Sequence, residues 1–409
     1  MSYQYAILPN GIRIIHRQTT SAVAHCGVAI DAGTRDELPE ENGLAHFIEH
    51  LIFKGTKNRK AFHILSRLEN VGGDLNAYTS KEETFIHASF LTKYYDRTLE
   101  LFADILSNST FPEKEIKKEK DVVLDEINSY KDSPAYLIFD EFEELIFNGH
   151  PVGNSILGTP ETVKSFQRNS ILNFVKRNYV ANRMVVASVG NIDFNRLVAL
   201  IELYFKIPKS DNQNYKRIAF EQYTPTTKIV FKSNFQVHCI LGTIAYPFKN
   251  KKRTILALLN NILGGPGMNT RLNLNIRERY GYCYNIESHY QPFSDTGYFN
   301  IYLGTDNGYL DKSIQLIFKE LKALKETKLG DLQLHRSKQQ IIGQLAISLE
   351  SKLNEMISIG KSHLFFDEVD TFEKIAEKVE NVTASELMEV ANEIFIPEKF
   401  SRLTYLPKD

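Results

Sequence analysis

The sequence is short of several features that mark particular classes of protein. It has three cysteines in 409 residues, Cys26, Cys239 and Cys283. An odd and widely spaced set of this kind excludes a disulfide framework and fits a reducing compartment. Its 49 basic and 50 acidic side chains leave a net charge of -1, so the composition gives no electrostatic reason to expect nucleic acid as a partner.

Long apolar runs are also missing. No window of the sequence reaches the ~18 apolar residues that a membrane-spanning helix needs. The opening residues, Met1-Ser-Tyr-Gln-Tyr-Ala-Ile, lack the basic and apolar regions of a secretory signal. We therefore expect a soluble, cytoplasmic protein without a membrane partner.

The composition that is present belongs to an ordinary globular protein. Hydrophobic residues make up 43% and charged residues 24% of the chain, and its length predicts two domains. The polar segment 209–216 lies near the midpoint and has no apolar periodicity, which favours a linker there. We expect an N-terminal domain at 1–208 and a C-terminal domain at 217–409.

The two halves look like a faint internal repeat. Strand-like runs at 24–30 and 237–243 precede helix-like runs at 44–54 and 254–263, strand pairs follow at 75–91 and 282–303, and a buried strand is predicted at 184–190. Coincidence between generic segments is the alternative explanation. The pattern predicts an α+β fold with two structurally similar domains, each a mostly antiparallel sheet packed with helices.

One short run carries the strongest chemical signal. The sequence Asn42-Gly-Leu-Ala-His46-Phe-Ile-Glu49-His50-Leu-Ile-Phe-Lys-Gly55 is mostly apolar and predicts a helix with a glycine cap at Gly55. His46 and His50 then lie one turn apart on one face, where two imidazoles can bind one tetrahedral zinc ion. Glu49 lies close enough to take a proton from water at the metal. A purely structural pair of helical histidines is the alternative.

A second predicted helix, at 113–130, is rich in acids and offers a third ligand. Glu119 and Glu126 lie two turns apart on one face, beside Val122 and Val123, which we expect to pack inward. For an acidic helix taken alone, a solvated face is the alternative reading. Spacing does not choose between Glu119 and Glu126 as the ligand.

These motifs resemble those of a known family. His-x-x-Glu-His is the inverzincin signature, the reverse of the commoner zinc-peptidase motif. The sequence resembles the pitrilysin, insulin-degrading enzyme and mitochondrial processing peptidase family (peptidase family M16), most closely its short bacterial branch. The segments that carry the resemblance are Asp31-Ala-Gly-Thr-Arg-Asp-Glu37, Gly43-Leu-Ala-His-Phe-Ile-Glu-His50, Gly72-Gly-Asp-Leu-Asn-Ala-Tyr78, Val122-Val-Leu-Asp-Glu-Ile127, His150-Pro-Val-Gly-Asn-Ser-Ile-Leu-Gly-Thr-Pro160 and 272–284.

The resemblance implies roles at the metal. His46, His50 and Glu126 would bind one Zn²⁺ per subunit, and Glu49 would be the general base. Glu119 would be a further carboxylate of the catalytic site, behind the ligands, where it orients them.

The resemblance also implies a binding site for peptide substrates. Asn76 and Ala77 would belong to an edge strand that holds an extended peptide by main-chain hydrogen bonds. Asn76 would add a side-chain contact, although it could equally cap a bend. In the second half, Arg277 would grip the substrate and Tyr284 would polarise the scissile carbonyl group.

The implied activity is that of a zinc-dependent endopeptidase that hydrolyses unfolded peptides inside a chamber. Long members of the family close four such domains around the chamber, and this chain has two, so a homodimer is implied. The second half has no histidine at 257–262 and no carboxylate between Asp331 and Glu350, so it would be free of metal. Two alternatives stay open: a non-catalytic or partner-dependent subunit of a heteromeric processing peptidase, and a different zinc hydrolase on a related fold.

Overall fold

A computed structural model describes residues 2–210 and 216–408 of the chain. The strands are β1 (Gln4–Ile7), β2 (Arg13–Gln18), β3 (Val23–Ile30), β4 (Asp74–Thr79), β5 (Thr84–Leu91), β6 (Met184–Gly190), β7 (Thr227–Lys232), β8 (Val237–Ile244), β9 (Cys283–Pro292), β10 (Gly297–Thr305) and β11 (Ser401–Pro407). The α-helices are α1 (Leu44–Leu51), α2 (Ala61–Glu69), α3 (Tyr95–Asn108), α4 (Glu113–Lys131), α5 (Pro134–Ile146), α6 (Pro160–Ser165), α7 (Arg168–Asn178), α8 (Phe194–Tyr204), α9 (Arg253–Gly264), α10 (Leu310–Glu326), α11 (Asp331–Leu349), α12 (Lys352–Phe366), α13 (Phe372–Glu380) and α14 (Ala384–Ile394). Within these described ranges, no helix is long and apolar enough to cross a membrane.

The first compact unit is built around a six-stranded sheet. It contains the described residues up to Asn128, those within Asn154–Ile218, and Ile347–Thr371. The strand order is β1-β2-β6-β3-β5-β4, in which β2 and β6 are parallel and all other neighbours are antiparallel. The central strand β6 is buried along its whole length, as its unbroken apolar sequence requires. Strand β4 lies at one edge of the sheet.

Both faces of this sheet are covered by helices. On one face, side chains from α1, α3 and α4, among them Phe47, Phe102 and Val123, pack with β3 in the main core. On the other face, α12 packs Met356 and Ile359 against residues of β5 and β6. The metal-motif helix α1 and the helix α12 therefore lie on opposite faces of the sheet.

The second unit has a five-stranded sheet. It contains Ser129–Gly153, Ala219–Ala346 and the described residues from Phe372 onward. The strand order is β7-β11-β8-β10-β9, with β7 parallel to β11 and the other pairs antiparallel. Helices α9, α10 and α14 pack on one face. Helix α5 covers the other face and places Ile138 and Phe142 against Ile240 and Tyr405.

The two sheets share one strand pattern. The order β2-β6-β3-β5-β4 in the first unit matches β7-β11-β8-β10-β9 in the second, and the parallel pair falls at the same place in each. The predicted strand-like runs at 24–30 and 237–243 are the central strands β3 and β8. The expected α+β fold with two similar domains is confirmed.

The units differ from the expected continuous ranges 1–208 and 217–409 in two segments. Helix α5, from the first half of the chain, belongs to the second unit, and α12, from the second half, belongs to the first unit. An amphipathic helix carries no signal that says which sheet it will cover, so this exchange is invisible in the sequence pattern. Of the expected linker 209–216, residues 211–215 lie outside the described residues. The chain passes to the second unit between Ile218 and Ala219.

Several local predictions can be checked against these elements. Helix α4 and strand β6 have the predicted bounds to within one residue, and the three cysteines are free and buried. The predicted cap at Gly55 is wrong, because α1 already ends at Leu51. The inward packing of Val122 is also wrong. Its side chain is 47% exposed, whereas Val123 is fully buried, because the buried stripe of α4 runs through Glu119 and Val123 at helical spacing.

Candidate metal centre

The helix that carries the metal motif is fixed at its first turn. Gly43 precedes α1 with φ +91°, and a Cβ at this position would lie 2.6 Å from Gly158 Cα, so only glycine fits there. The carboxylate of Glu37 accepts hydrogen bonds from the amides of Gly43 at 2.9 Å and Ala45 at 2.8 Å. These bonds satisfy two donors that the helix itself leaves free. Glu37 is buried, and it therefore anchors α1 inside the unit.

His46 and His50 project from the same face of α1. Their ring centroids lie 4.7 Å apart. His46 is buried, and burial lowers its pKa to about 4, with a smaller contribution from the neighbouring His50. Its imidazole is therefore neutral over the physiological range, which is the form that binds a metal. Within the described residues, no hydrogen-bond partner reaches His46 Nδ1.

The structure brings Glu126, on α4, to these two rings. Its Oε2 atom lies 3.8 Å from His46 Nε2 and 3.6 Å from His50 Nε2. Within the part of the chain that the structure describes, these three residues form the single group of histidine, cysteine or acidic side chains whose ligand atoms lie within 4.8 Å of one another. The carboxylate is partly exposed, so the group has an open side.

Glu119 takes a different position, which separates it from Glu126. Its Oε2 atom lies 3.2 Å from His50 Nδ1, the ring nitrogen opposite the one that faces Glu126. The other oxygen, Oε1, lies 2.7 Å from Lys54 Nζ. Glu119 is buried, and a carboxylate in this place fixes the tautomer and orientation of the imidazole. The two carboxylates therefore meet different nitrogens of His50, and this geometry favours Glu126 over Glu119 as the ligand.

Glu49 lies on the same helix, between the two histidines in sequence. It is half-buried, and burial raises the pKa of its carboxyl group, while hydrogen bonding from Thr79 and the charge of His50 lower it and the charge of Glu126 raises it. A carboxylate whose pKa is raised toward neutrality is suited to accept and return a proton. Thr79 is the last residue of β4, so Glu49 stands beside the end of the edge strand.

The expected peptide-binding strand is β4, and it lies at the sheet edge. It pairs with β5 on one side and ends the strand order on the other. Asn76 is exposed, and its side-chain oxygen accepts a hydrogen bond from the amide of Ala77 at 2.8 Å. The described contact of Asn76 is thus a local one, as expected if Asn76 caps a bend. Its contact with substrate stays a prediction.

Arg277 and Tyr284 belong to the second unit. Arg277 lies in a π-helical segment, Asn273–Glu278, and its side chain is 40% exposed. Tyr284 lies near the start of β9, which is an edge strand of its sheet. Its side chain is exposed, and its hydroxyl donates to Asp306 Oδ2 at 3.4 Å. Both side chains are accessible, and their role toward substrate stays a prediction.

Two residues with a clear place at the centre were missed by sequence reasoning. Lys54 was read only as part of an apolar helix, although it pairs with Glu119. The sequence pattern assigns no role to Glu37, although its carboxylate caps α1. For Lys54 the signal was its position four residues after His50 in the sequence, although α1 ends at Leu51 and Lys54 lies beyond the helix. For Glu37 the signal was an acid placed shortly before a predicted helix start.

Comparisons with known proteins show which family this chain belongs to. Residues 13–160 match the family described as insulinase (peptidase family M16), and residues 165–341 match the peptidase M16 inactive domain. The protein "uncharacterized zinc protease YmxG" of Bacillus subtilis is 34% identical over 390 residues, which is 94% of each chain. An uncharacterized zinc protease of Rickettsia felis is 34% identical over 89% of this chain and 87% of its own. The chain belongs to peptidase family M16.

Solved structures show the same fold. A protease from Helicobacter pylori superposes with a TM-score of 0.90 at 22% identity, covering 99% of this chain and 100% of that one. A peptidase M16 inactive domain from Pseudomonas fluorescens gives 0.91 at 19% identity, covering 100% and 98%. At these identities the likeness establishes the fold alone.

Proposed function

We propose that the protein is a zinc-dependent endopeptidase that cleaves unfolded peptides. One observation carries the proposal: two imidazole Nε2 atoms and the Glu126 carboxylate converge within 4.8 Å of one another, with Glu49 on the same helix and a free strand edge beside it. The names of the Bacillus and Rickettsia relatives, both zinc proteases, support the same metal and the same reaction.

The three side chains fit zinc. Two nitrogens and one oxygen make a borderline donor set of the kind that catalytic zinc sites use, with one position left open. Ligand atoms around a tetrahedral zinc lie roughly 3.4 Å apart, given bonds of about 2.0–2.1 Å. The distances of 3.6 and 3.8 Å between Glu126 and the two rings are close to that value. We propose one zinc ion per chain, held by His46, His50 and Glu126.

Zinc in such a site lowers the pKa of water and polarises a carbonyl group. The protein's own residues supply the remaining steps. Glu49 takes the proton from the attacking water and passes it to the leaving amine. Glu119 holds the His50 ring in its ligating tautomer. Tyr284 and Arg277 would act on the carbonyl oxygen and on the bound peptide, because a neutral hydroxyl and a guanidinium can both donate hydrogen bonds there.

Substrate would bind as an added strand. The outer edge of β4, around Asn76 and Ala77, offers main-chain groups to an extended peptide. A site enclosed in a chamber would favour unfolded peptides over folded proteins, which is why unfolded peptides are the proposed substrates. Rapid cleavage of a folded globular protein would contradict this preference.

The proposed assembly is a homodimer. The chain has two domains, and the long members of the family that it resembles enclose their chamber with four. Each chamber would then use the metal of one subunit and Arg277 and Tyr284 of the other. Mass photometry, with crosslinking at the working concentration, tests this directly, and a fully active monomer would rule it out.

The decisive experiment compares wild type with Glu49→Gln, both loaded with zinc. The substrate is a quenched fluorogenic peptide of intermediate length. We expect wild-type cleavage that collapses in the variant, by roughly a hundredfold or more, while zinc content stays equal. If wild type cleaves no member of a varied peptide panel, the chain is better explained as a non-catalytic or partner-dependent subunit.

A further inference from the structure

The motif Asp31-Ala-Gly-Thr-Arg-Asp-Glu37 is not used by the chemistry proposed above. Its last residue, Glu37, caps α1, the helix that carries His46 and His50 (called the metal helix below). Two of its other residues, Thr34 and Arg35, contact the turn between β4 and β5. The amides of Thr34 and Arg35 donate to the carbonyl oxygens of Ser80 and Lys81 at 3.1 and 2.8 Å. The motif therefore joins α1 to the β4–β5 hairpin, whose first strand, β4, is the proposed peptide-binding strand.

This join leaves no room for a side chain at Gly33. A Cβ there would lie 2.4 Å from the Ser80 oxygen and 2.5 Å from the Lys81 oxygen. The hairpin turn is correspondingly well enclosed, since Lys81, Glu82 and Glu83 are all buried. Such burial is unusual for charged residues in a turn, and each of them needs a partner.

The partners of Glu82 include a residue from far along the chain. Arg35 Nη1 lies 2.8 Å from Glu82 Oε1, and both side chains are buried. Arg217 donates to the main-chain oxygen of Glu82 at 2.7 Å, and its Nη1 lies 3.7 Å from Glu82 Oε1. Arg217 also pairs with Asp31 at 2.7 Å and Asp36 at 2.9 Å. One guanidinium thus ties the motif to the hairpin.

Arg217 lies at the very end of the first unit. The next residue, Ile218, accepts a hydrogen bond from Arg35 Nη2 at 2.6 Å, and the chain then enters the second unit. The cluster is balanced, since Arg35, Arg183 and Arg217 face Asp31, Asp36 and Glu82. Removing one member of such a buried set leaves an uncompensated charge.

We infer that Arg217 is a positioning residue for the peptide-binding strand, which it holds through the β4–β5 turn. Strand β4 has a sheet neighbour on one side, so its direction depends on its turn more than that of a central strand does. A small displacement of this strand moves a bound peptide relative to the metal and to Glu49. This inference rests on the proposed peptidase function for its kinetic consequence and on the structure alone for its effect on the strand.

The test uses Arg217→Lys, which keeps the charge but loses the planar fork that reaches Asp31, Asp36 and Glu82 together. The matched control is Arg183→Lys. Arg183 pairs with Asp36 and Asp31 in the same cluster and bonds to Asn178. Hydrogen exchange followed by mass spectrometry compares residues 74–79 with the central strand β3 in the full-length protein.

In Arg217→Lys, exchange of the protected amides at 74–79 should accelerate roughly tenfold, the effect of about one lost hydrogen bond, while β3 exchanges as in wild type. Arg183→Lys should leave 74–79 unchanged. With zinc content equal to that of wild type, kcat/KM for the fluorogenic peptide should fall about ten- to a hundredfold, as expected when a strand that orients substrate shifts. The loss should appear mainly in kcat, because a displaced peptide still binds but meets the metal and Glu49 in a less reactive position.

Two results would overturn the inference. One is unchanged exchange at 74–79 in Arg217→Lys. The other is equal acceleration of β3 and β4 in both variants, which would make the cluster a general stabilising device. If wild type cleaves no peptide, the proposed function fails, and the exchange comparison still decides whether Arg217 positions the strand.

Discussion

Glu119→Leu should weaken zinc binding without unfolding the protein. The carboxylate accepts from His50 Nδ1 at 3.2 Å and pairs with Lys54 at 2.7 Å. Leucine has a similar volume and removes both contacts. His50 then loses the group that fixes its tautomer, and the Lys54 cation stands beside a ligand ring without its counter-charge. Both changes disfavour a divalent cation in the site.

The size of the effect follows from these two losses. Removing a carboxylate that orients a ligating histidine costs about 10–100-fold in metal affinity, which corresponds to roughly 1.4–2.7 kcal/mol. Because the lysine charge is also released, we expect the upper end of this range for Glu119→Leu. Glu119→Gln keeps an acceptor for His50 and loses only the charge, so about tenfold is expected.

The assay is competition for zinc with a chromophoric chelator at fixed pH and ionic strength. Glu115→Gln is the matched control, because Glu115 lies on the same helix and pairs with Lys118 at the surface. Its zinc affinity should equal that of wild type. The reasoning is refuted if Glu119→Leu binds zinc as tightly as wild type, or if the Glu115 variant weakens binding to the same extent.

Three further predictions concern stability, each measured by urea unfolding. Burial lowers the pKa of His46 from 6.5 to about 4, so the unfolded chain binds a proton that the folded chain does not. His46 should therefore contribute roughly 3 kcal/mol to the stability that the metal-free protein loses as the pH falls from about 6.5 to about 4. His46→Gln should reduce the loss by about that amount, and other buried histidines with lowered pKa values account for the remainder. Glu37→Ala should cost roughly 3 kcal/mol, since it leaves two amides of the metal helix unpaired; a cost under ~0.5 kcal/mol would contradict the cap. Val123→Ala should lower the free energy of unfolding by about 2 kcal/mol and Val122→Ala by under ~0.5 kcal/mol. Equal losses in the two variants would contradict the burial of Val123 and the exposure of Val122.

The sequence predicts the local elements of this protein well where periodicity is strong. Helix α4 and strand β6 appear with the expected bounds, because a long amphipathic run favours a helix and a short apolar run rich in valine favours a buried strand. The end of α1 was misplaced because Gly55 is a good capping residue, yet the helix stops four residues earlier. A capping residue permits a helix end and does not compel one.

The candidate site was likewise predicted in part from the sequence. The spacing of His46, Glu49 and His50 was sufficient to place all three on one helical turn. It could not separate Glu119 from Glu126, because two carboxylates seven residues apart share a helix face. Only the orientation of the His50 ring distinguishes them, and ring orientation depends on packing that no sequence spacing encodes.

Long-range partners were beyond the sequence altogether. Arg217 meets Glu82 and Asp31 across more than a hundred residues of chain. Nothing in an isolated arginine near a polar segment indicates a buried partner, and most arginines are solvated. The motif that contains Asp31 and Glu37 was visible as a sequence pattern. Its contacts with both α1 and the β4–β5 hairpin could be seen only in the folded structure.

The exchange of α5 and α12 between the two units has a consequence for synthesis on the ribosome. The second face of the first unit's sheet is covered by α12, which ends at Phe366. A nascent chain that has emerged through β6 therefore presents an apolar sheet face, which includes Phe85 and Val189, until nearly the whole protein has been made. The apolar side chains Ile138 and Phe142 of α5 likewise stay uncovered until strands β8 and β11, which come later in the chain, have been made. Neither unit can complete its core until most of the chain has been made, so each exposes apolar surface during synthesis, and exposed surface of this kind favours aggregation.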